Sequence, residues 1–154
     1  MLSRIVSGGQ TGADRAALDW AISLGYPIGG WCPAGRRAED GPIDLRYPLQ
    51  ETADEGYTRR TEWNVRDSDA TLIVTRAKVL TGGSQRTQKF AIKWNRPCFH
   101  AWTVGQAAEV RQFLDDHAVT VLNIAGPRLS TDPEILSFVD PFLTAALPKP
   151  PTDP

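Results

Sequence analysis

Ala70-Thr71-Leu72-Ile73-Val74-Thr75 is the segment that most narrows what this chain can become. It is β-branched and apolar throughout, without the alternation of a strand that has one wet face. Such a run suits a strand buried on both sides. A strand covered on both sides needs helices above and below it, which points to an α/β protein with a parallel sheet.

The rest of the chain supplies the alternation that this reading requires. Leu2 to Ser7 is a short strand ending in Gly8-Gly9-Gln10-Thr11-Gly12. Ala17, Trp20, Ala21 and Leu24 then recur at helical spacing, and Gly25 suits a C-cap. Ile28 to Cys32 reads as a second strand. A polar stretch from Pro33 to about Thr52 follows, either a functional loop or a disordered insertion, with Leu45, Tyr47 and Leu49 as apolar anchors. Tyr57 to Asp67 reads as a helix, and Asp67 and Asp69 cap or turn the chain into the buried strand. Thr81-Gly82-Gly83-Ser84 opens a helix over Gln85 to Trp94, which Asn95-Arg96-Pro97 stops.

Cys98 to Trp102 is a strand, Gln106 to His117 a helix, and Val119 to Ile124 a further buried strand. Ser130-Thr131-Asp132 before Pro133 forms an N-cap and N1 pair for a last helix toward Leu147, interrupted near Asp140-Pro141. Trp20, Trp94 and Phe113 are expected in the core. With 154 residues, the chain reads as a single ligand-binding domain over 1–147 with a flexible Pro-rich tail over 148–154.

Charge and composition exclude several functions. Lys+Arg is 17 against Asp+Glu 18, a formal net charge of -1, so no basic surface for nucleic acid is expected. No apolar run approaches the roughly 20 residues that span a bilayer. The first residues lack the pattern of a signal peptide, and cytoplasmic residence without a membrane partner is the expectation. The two cysteines, Cys32 and Cys98, stand far apart without clustered His, which supports neither a disulfide framework nor a protein-thiolate metal site. Neither His100 nor His117 has a Ser or Cys beside it in a nucleophile motif, so no catalytic residue is assigned.

Three stretches can carry binding chemistry. Gly8, Gly9, Gln10, Thr11 and Gly12 lie between a strand and a helix, where amides and the helix dipole attract anions. The loop matches neither G-x-G-x-x-G nor a P-loop. Thr81, Gly82, Gly83 and Ser84, with Thr87 a turn further on, repeat that arrangement at the same sheet edge, although Ser84 can equally serve as a plain N-cap. Charged segments Gly35 to Gly41 and Arg59 to Asp69 are either solvated faces or ligand groups. Arginine forks bind phosphate, and Glu39 or Asp40 can take amino groups of a heterocycle. Trp31 and Trp63, in polar contexts, can stack on a ring. In parallel sheets ligands bind beyond the carboxyl ends of the strands, where both glycine loops fall.

Gly8-Gly9-Gln10-Thr11-Gly12-Ala13-Asp14-Arg15, Gly35 to Gly41, Arg60-Thr61 with Asn64-Val65, Ser68 to Thr71, Thr81 to Ser84 and Asn123 to Arg128 occur in one order. Together they resemble the putative molybdenum carrier family, also described as circularly permuted YpsA-like, within the Rossmann-like group that includes DprA and the cytokinin-activating phosphoribohydrolases. The resemblance covers all but the tail. It implies a Rossmann-like three-layer sandwich with a mainly parallel sheet of about five or more strands. It also implies a homo-oligomer, dimer or tetramer, that binds molybdenum cofactor or molybdate as a carrier or storage protein. By that resemblance the small-molecule anionic ligand is held by the two glycine loops with Asp14, Arg36, Glu39, Asp40, Arg60, Thr61 and Asn64. The phosphoribohydrolase pattern Pro-Gly-Gly-x-Gly-Thr-x-x-Glu is incomplete here, since Thr81 to Lys89 lacks the second Gly-Thr unit and the acidic residue. The alternative is a nucleotide-binding or nucleotide-processing protein acting on an ADP-ribose-like or nucleoside phosphate ligand, and a third reading is a partner-binding scaffold with a vestigial pocket.

Overall fold

The structure is a computed structural model that describes residues 1–152. Its elements follow the alternation in the sequence. They are β1 (Arg4–Val6), α1 (Ala13–Leu24), β2 (Ile28–Gly29), β3 (Trp31–Cys32), β4 (Arg37–Ala38), β5 (Gly41–Pro42) and β6 (Gln50–Glu51). Then come α2 (Tyr57–Arg66), β7 (Ala70–Val74), α3 (Gly82–Lys93), β8 (Cys98–Ala101), α4 (Ala107–Asp116), β9 (Val121–Ala125) and α5 (Leu136–Ala146).

The central sheet has five strands in the order β2-β1-β9-β7-β8, every pair parallel. Every residue of β7 is buried, as its unbroken apolar run requires. The chain moves outward from β1 to β2 through α1, and outward the other way from β7 to β8 through α3. Right-handed crossovers running in opposite directions put their helices on opposite faces. Accordingly α1 packs with α5, and α5 with α4, on one side, while α2 packs with α3 on the other. The direction reverses around β9, so a crevice opens beyond the carboxyl ends of β1, β9 and β7.

The main core joins Ile5, Ala17, Trp20, Leu72, Val74, Leu122 and Ile124 to Val110, Phe142 and Leu143 of the helices above. Gly25 closes α1 in the left-handed region (φ 82), its N–H bonded to the carbonyls of Ala21 and Ile22.

Several boundaries differ from expectation for identifiable reasons. The second strand is broken at Gly30 (φ 127), where the chain leaves the central sheet. Asn64 then clasps the Trp31 backbone from both sides, accepting from its N–H (2.7 Å) and donating to its carbonyl (2.9 Å). The stretch that follows is ordered. β3 pairs with β6 and β4 with β5, over a small core of Leu18, Cys32, Ala38, Ile43, Tyr47 and Leu49. Leu45 is 84% exposed and does not join it.

The helix after Thr81 begins at Gly82, so Ser84 lies inside its first turn. α5 runs unbroken through Pro141. Trp20 is buried, but Trp94 is 39% exposed, its indole N–H reaching out to Glu62 of α2. Pro148 accepts a hydrogen bond from the Tyr26 hydroxyl (2.7 Å), and the expected tail lies outside the described residues at 153 and 154.

Candidate functional site

The crevice at the switch in strand order holds a pocket of about 700 Å3. That lies within the usual range for small-molecule sites. Its floor is the end of β1 and the start of α1, through Gly8, Gln10 and Asp14. One wall is α2, with Tyr57, Arg60, Thr61 and Asn64. Another is the α3 N-terminus, with Thr81, Gly82, Gly83, Ser84, Arg86 and Thr87. Asn123 of β9 adds to the floor, and loops after β7 and β9 close the rim with Thr75, Arg76, Arg128 and Asp132.

The two glycine loops are in different states. In the first, four amides are used within the protein, while those of Gly8, Gly9, Gly12 and Asp14 have no partner among the described residues. Gln10 N–H points to Asp14 Oδ2 (3.4 Å), Thr11 N–H to Gln10 Oε1 (3.0 Å), Ala13 N–H to the Pro127 carbonyl (3.0 Å) and Arg15 N–H to the Gln10 carbonyl (3.1 Å). Asp14 is 3% exposed and pairs with Arg60 Nη1 at 2.7 Å. Burial pushes its carboxyl above the ordinary value, against the pull of Arg60 and the Gln10 amide. The Arg60 guanidinium lies so close to Gly8 that a Cβ there would run into it.

The second loop is open. No side chain caps α3, and the amides of Gly82, Gly83 and Ser84 have no backbone partner among the described residues. Among the described residues nothing lies within 4 Å of where a Cβ on Gly82 or Gly83 would be. Ser84 is 8% exposed and faces this space. Such free donors at a helix N-terminus, with the helix dipole behind them, are the kind of group that can receive an oxyanion.

The rim arginines are mostly compensated. Arg76 forms a bidentate pair with Asp132 (2.8 and 2.7 Å) and reaches Glu134 at 3.1 Å. Arg128 lies 3.6 Å from Glu39. Arg86 has only the Thr58 hydroxyl at 3.4 Å and no carboxylate among the described residues, so it is the cation left over for an anionic ligand.

Of the residues expected at a site, Gly8, Gln10, Asp14, Arg60, Thr61, Asn64, Thr81, Gly82, Gly83, Ser84 and Thr87 line this one pocket. Gly9, Thr11, Gly12, Arg36, Glu39 and Asp40 lie behind it. Gly9 packs under Ile43 and Leu49, and Gly12 against the backbone of Pro127 and Arg128. Arg36 gives its guanidinium to the carbonyls of Ile43, Asp44, Tyr47 and Leu49. Glu39 accepts from Thr11 Oγ1 and from Ser130 N–H (3.1 Å) and Oγ (2.6 Å), while Asp40 pairs with Arg15. Trp31 and Trp63 pack edge to face on each other, centroids 4.8 Å apart.

The sequence reading did not single out Tyr57, Arg76 or Asp132, and Arg86 and Arg128 fell inside its motifs without being assigned a site role. The signal that could have found the rim arginines is position, since Arg76 and Arg128 follow closely on Val74 and Ala125 at strand ends.

Neither cysteine reaches the pocket. Cys32 is fully buried in the small core, and burial pushes the Cys98 thiol up to about 11. Among the described residues no group of three or more His, Cys, Asp or Glu is arranged to hold a metal ion.

Fold and pocket together define a Rossmann-like α/β protein with a cavity of small-molecule size at the carboxyl edge of its sheet. The sequence model of the circularly permutated YpsA SLOG family matches residues 5–147, and the chain belongs to that family. A crystal structure described as a putative molybdenum carrier protein from Syntrophus aciditrophicus SB is 45% identical, with a TM-score of 0.92 over 96% of each chain. (E)-4-Hydroxy-3-methyl-but-2-enyl diphosphate reductase aligns over 93% of this chain and 59% of its own at 15% identity and a TM-score of 0.41, too distant to bear on function. No curated protein matches the chain.

Proposed function

We propose that this protein is a carrier or storage protein for a molybdenum-bearing ligand, molybdenum cofactor or molybdate, bound in the pocket at the switch in strand order. The observation that carries the reading is the open α3 N-terminus with Ser84 and Arg86, in a chain 45% identical to one described as a molybdenum carrier. The free amides of Gly82, Gly83 and Ser84 would receive the phosphate of a pterin ligand or the oxygens of molybdate. A bare oxyanion would fill only a small part of a pocket of about 700 Å3, which favours the larger, pterin-bearing form. Since no thiolate lines the pocket, the metal must arrive with its own sulfur ligands or as an oxyanion, and the residues present fit both.

Carriage rather than catalysis is favoured because the pocket's carboxylates, Asp14 and Asp132, are each bound to an arginine. Cytoplasmic residence and assembly into a dimer or tetramer belong to the same proposal, and size-exclusion chromatography tests the assembly. No helix among the described residues is long and apolar enough to cross a membrane.

The test is elemental analysis and pterin fluorescence of purified protein with and without added cofactor. Binding should reach about one ligand per chain, and Ser84→Ala with Arg86→Ala should weaken it roughly tenfold or more. Binding no better than to an unrelated protein ends this reading. A nucleoside monophosphate would meet the same amides, so a thermal-shift panel should include nucleotides. Stabilisation by nucleotides with none by pterin or molybdate reverses the ranking.

A further inference from the structure

We infer that Asp14 is a built-in counter-anion that closes the first glycine loop, so the pocket accepts a ligand with one phosphate or other tetrahedral oxyanion and rejects pyrophosphate-bridged dinucleotides. The inference rests on the pocket proposed above and deepens it by naming the ligand class. In nucleotide-binding sheets of this type the pyrophosphate lies at the N-terminus of the first helix, on the amides of the first glycine loop. Here that place holds protein. The Asp14 carboxylate faces the Gln10 amide, and the first-turn amides of Ala13 and Arg15 are bonded to carbonyls.

The cation that would meet a second phosphate is engaged through one nitrogen, while its buried Nε has no partner among the described residues. Arg60 Nη1 is bonded to Asp14 at 2.7 Å, and the two side chains are only 13% and 5% exposed. A phosphate arriving beside Asp14 would meet a buried like charge in a low-dielectric setting. The α3 N-terminus has no such occupant, and its three leading amides are free. A second observation points to a ligand in the same pocket. Gln10, whose side chain reaches the pocket from the first loop, is 5% exposed, its Oε1 is held by the N–H groups of Thr11 (3.0 Å) and Glu39 (2.9 Å), and its Nε2 has no partner among the described residues. Because both groups on Oε1 are donors, the amide cannot be turned round, and Nε2 stays a donor without an acceptor.

The experiment compares the full-length wild type with Asp14→Ala by thermal unfolding and anion titration, in sodium formate, inorganic phosphate and inorganic pyrophosphate at matched ionic strength. Wild type should be stabilised by phosphate and indifferent to formate, and should bind pyrophosphate no more than about threefold tighter than phosphate. Asp14→Ala should unfold at lower temperature and be restored by formate, a carboxylate small enough to take the vacated place beside Arg60. Its affinity for pyrophosphate should rise about tenfold over wild type. An Asp14→Ala protein no more responsive to formate than wild type overturns the inference. So does a wild type that ignores phosphate, or one that already binds pyrophosphate tenfold tighter than phosphate. The wild-type comparison stands even if the variant does not fold. Formate rescue without pterin or molybdate binding would sink the molybdenum reading alone. Pterin binding without formate rescue would sink only this one.

Discussion

Residue by residue, the site depends on which polar atoms are already used. Arg36 and Arg60 are both arginines in charged stretches, and the sequence offers both as oxyanion forks. In the fold Arg36 holds four carbonyls of the 33–56 segment, whereas Arg60 points into the pocket, held by Asp14. No local pattern separates them, because the Arg36 partners are carbonyls of an aperiodic fold 7 to 13 residues on, and the Arg60 partner lies 46 residues back. Likewise the eight-residue glycine motif announces a loop between strand and helix but not that its own Asp14 fills it. Gly8 gives a direct check of this packing. Its backbone lies outside the left-handed region, so alanine is conformationally allowed, but the new methyl must displace the Arg60 guanidinium. Gly8→Ala should lower stability by about 1–3 kcal/mol, read from urea unfolding midpoints. It should also weaken binding in the pocket. Unchanged stability would mean that Arg60 moves aside freely and that the pair is not rigid.

At the scale of elements, the alternation of strands and helices was legible because β7 and β9 are apolar enough to need cover on both faces. The interior of the 33–56 segment was not. Its order comes from two short strand pairs and a core of scattered side chains, none of which has a period. This segment is stapled to the pocket rim through Glu39, at the turn between β4 and β5. Its carboxylate gathers Thr11 at the start of α1 and Ser130 on the loop after β9. Burial alone would raise that carboxyl, but the Ser130 and Thr11 bonds hold it below the ordinary value. Glu39→Ala should therefore loosen two elements at once. Hydrogen exchange should accelerate over residues 127–132 as well as 36–43, with a loss of about 1–3 kcal/mol. Acceleration confined to 36–43 would show that the rim is held by other contacts.

For the whole molecule, the lowered carboxyls predict how it responds to acid. Asp69 would be raised by burial, but bonds from the N–H of Val121 and from the hydroxyl and N–H of Thr120 hold it low. Asp132 is held low by the Arg76 guanidinium. For such groups the unfolded chain takes up protons first as pH falls. Their stabilisation is complete above about pH 4–5, beyond the unfolded carboxylate values, and is lost as pH drops through the lower folded values. Urea midpoints measured from pH 7 to 2.5 should fall along that acid limb. Asp69→Asn should cost about 1–3 kcal/mol at pH 7 and much less at the acid end. A cost that stays constant with pH would show that the Asp69 charge does not tie β7 to β9.

The kink at Gly30 has a different consequence at this scale. By turning the chain out of the sheet it leaves β2 only two residues long, at one edge. A strand so short offers a neighbouring molecule almost no row of free amides and carbonyls to pair with, which is a recognised guard against edge-to-edge aggregation. The opposite edge, β8, is four residues long and carries Phe99. Any unwanted fibril-like growth of this protein should start there, on the side away from the fold's glycine-made exit.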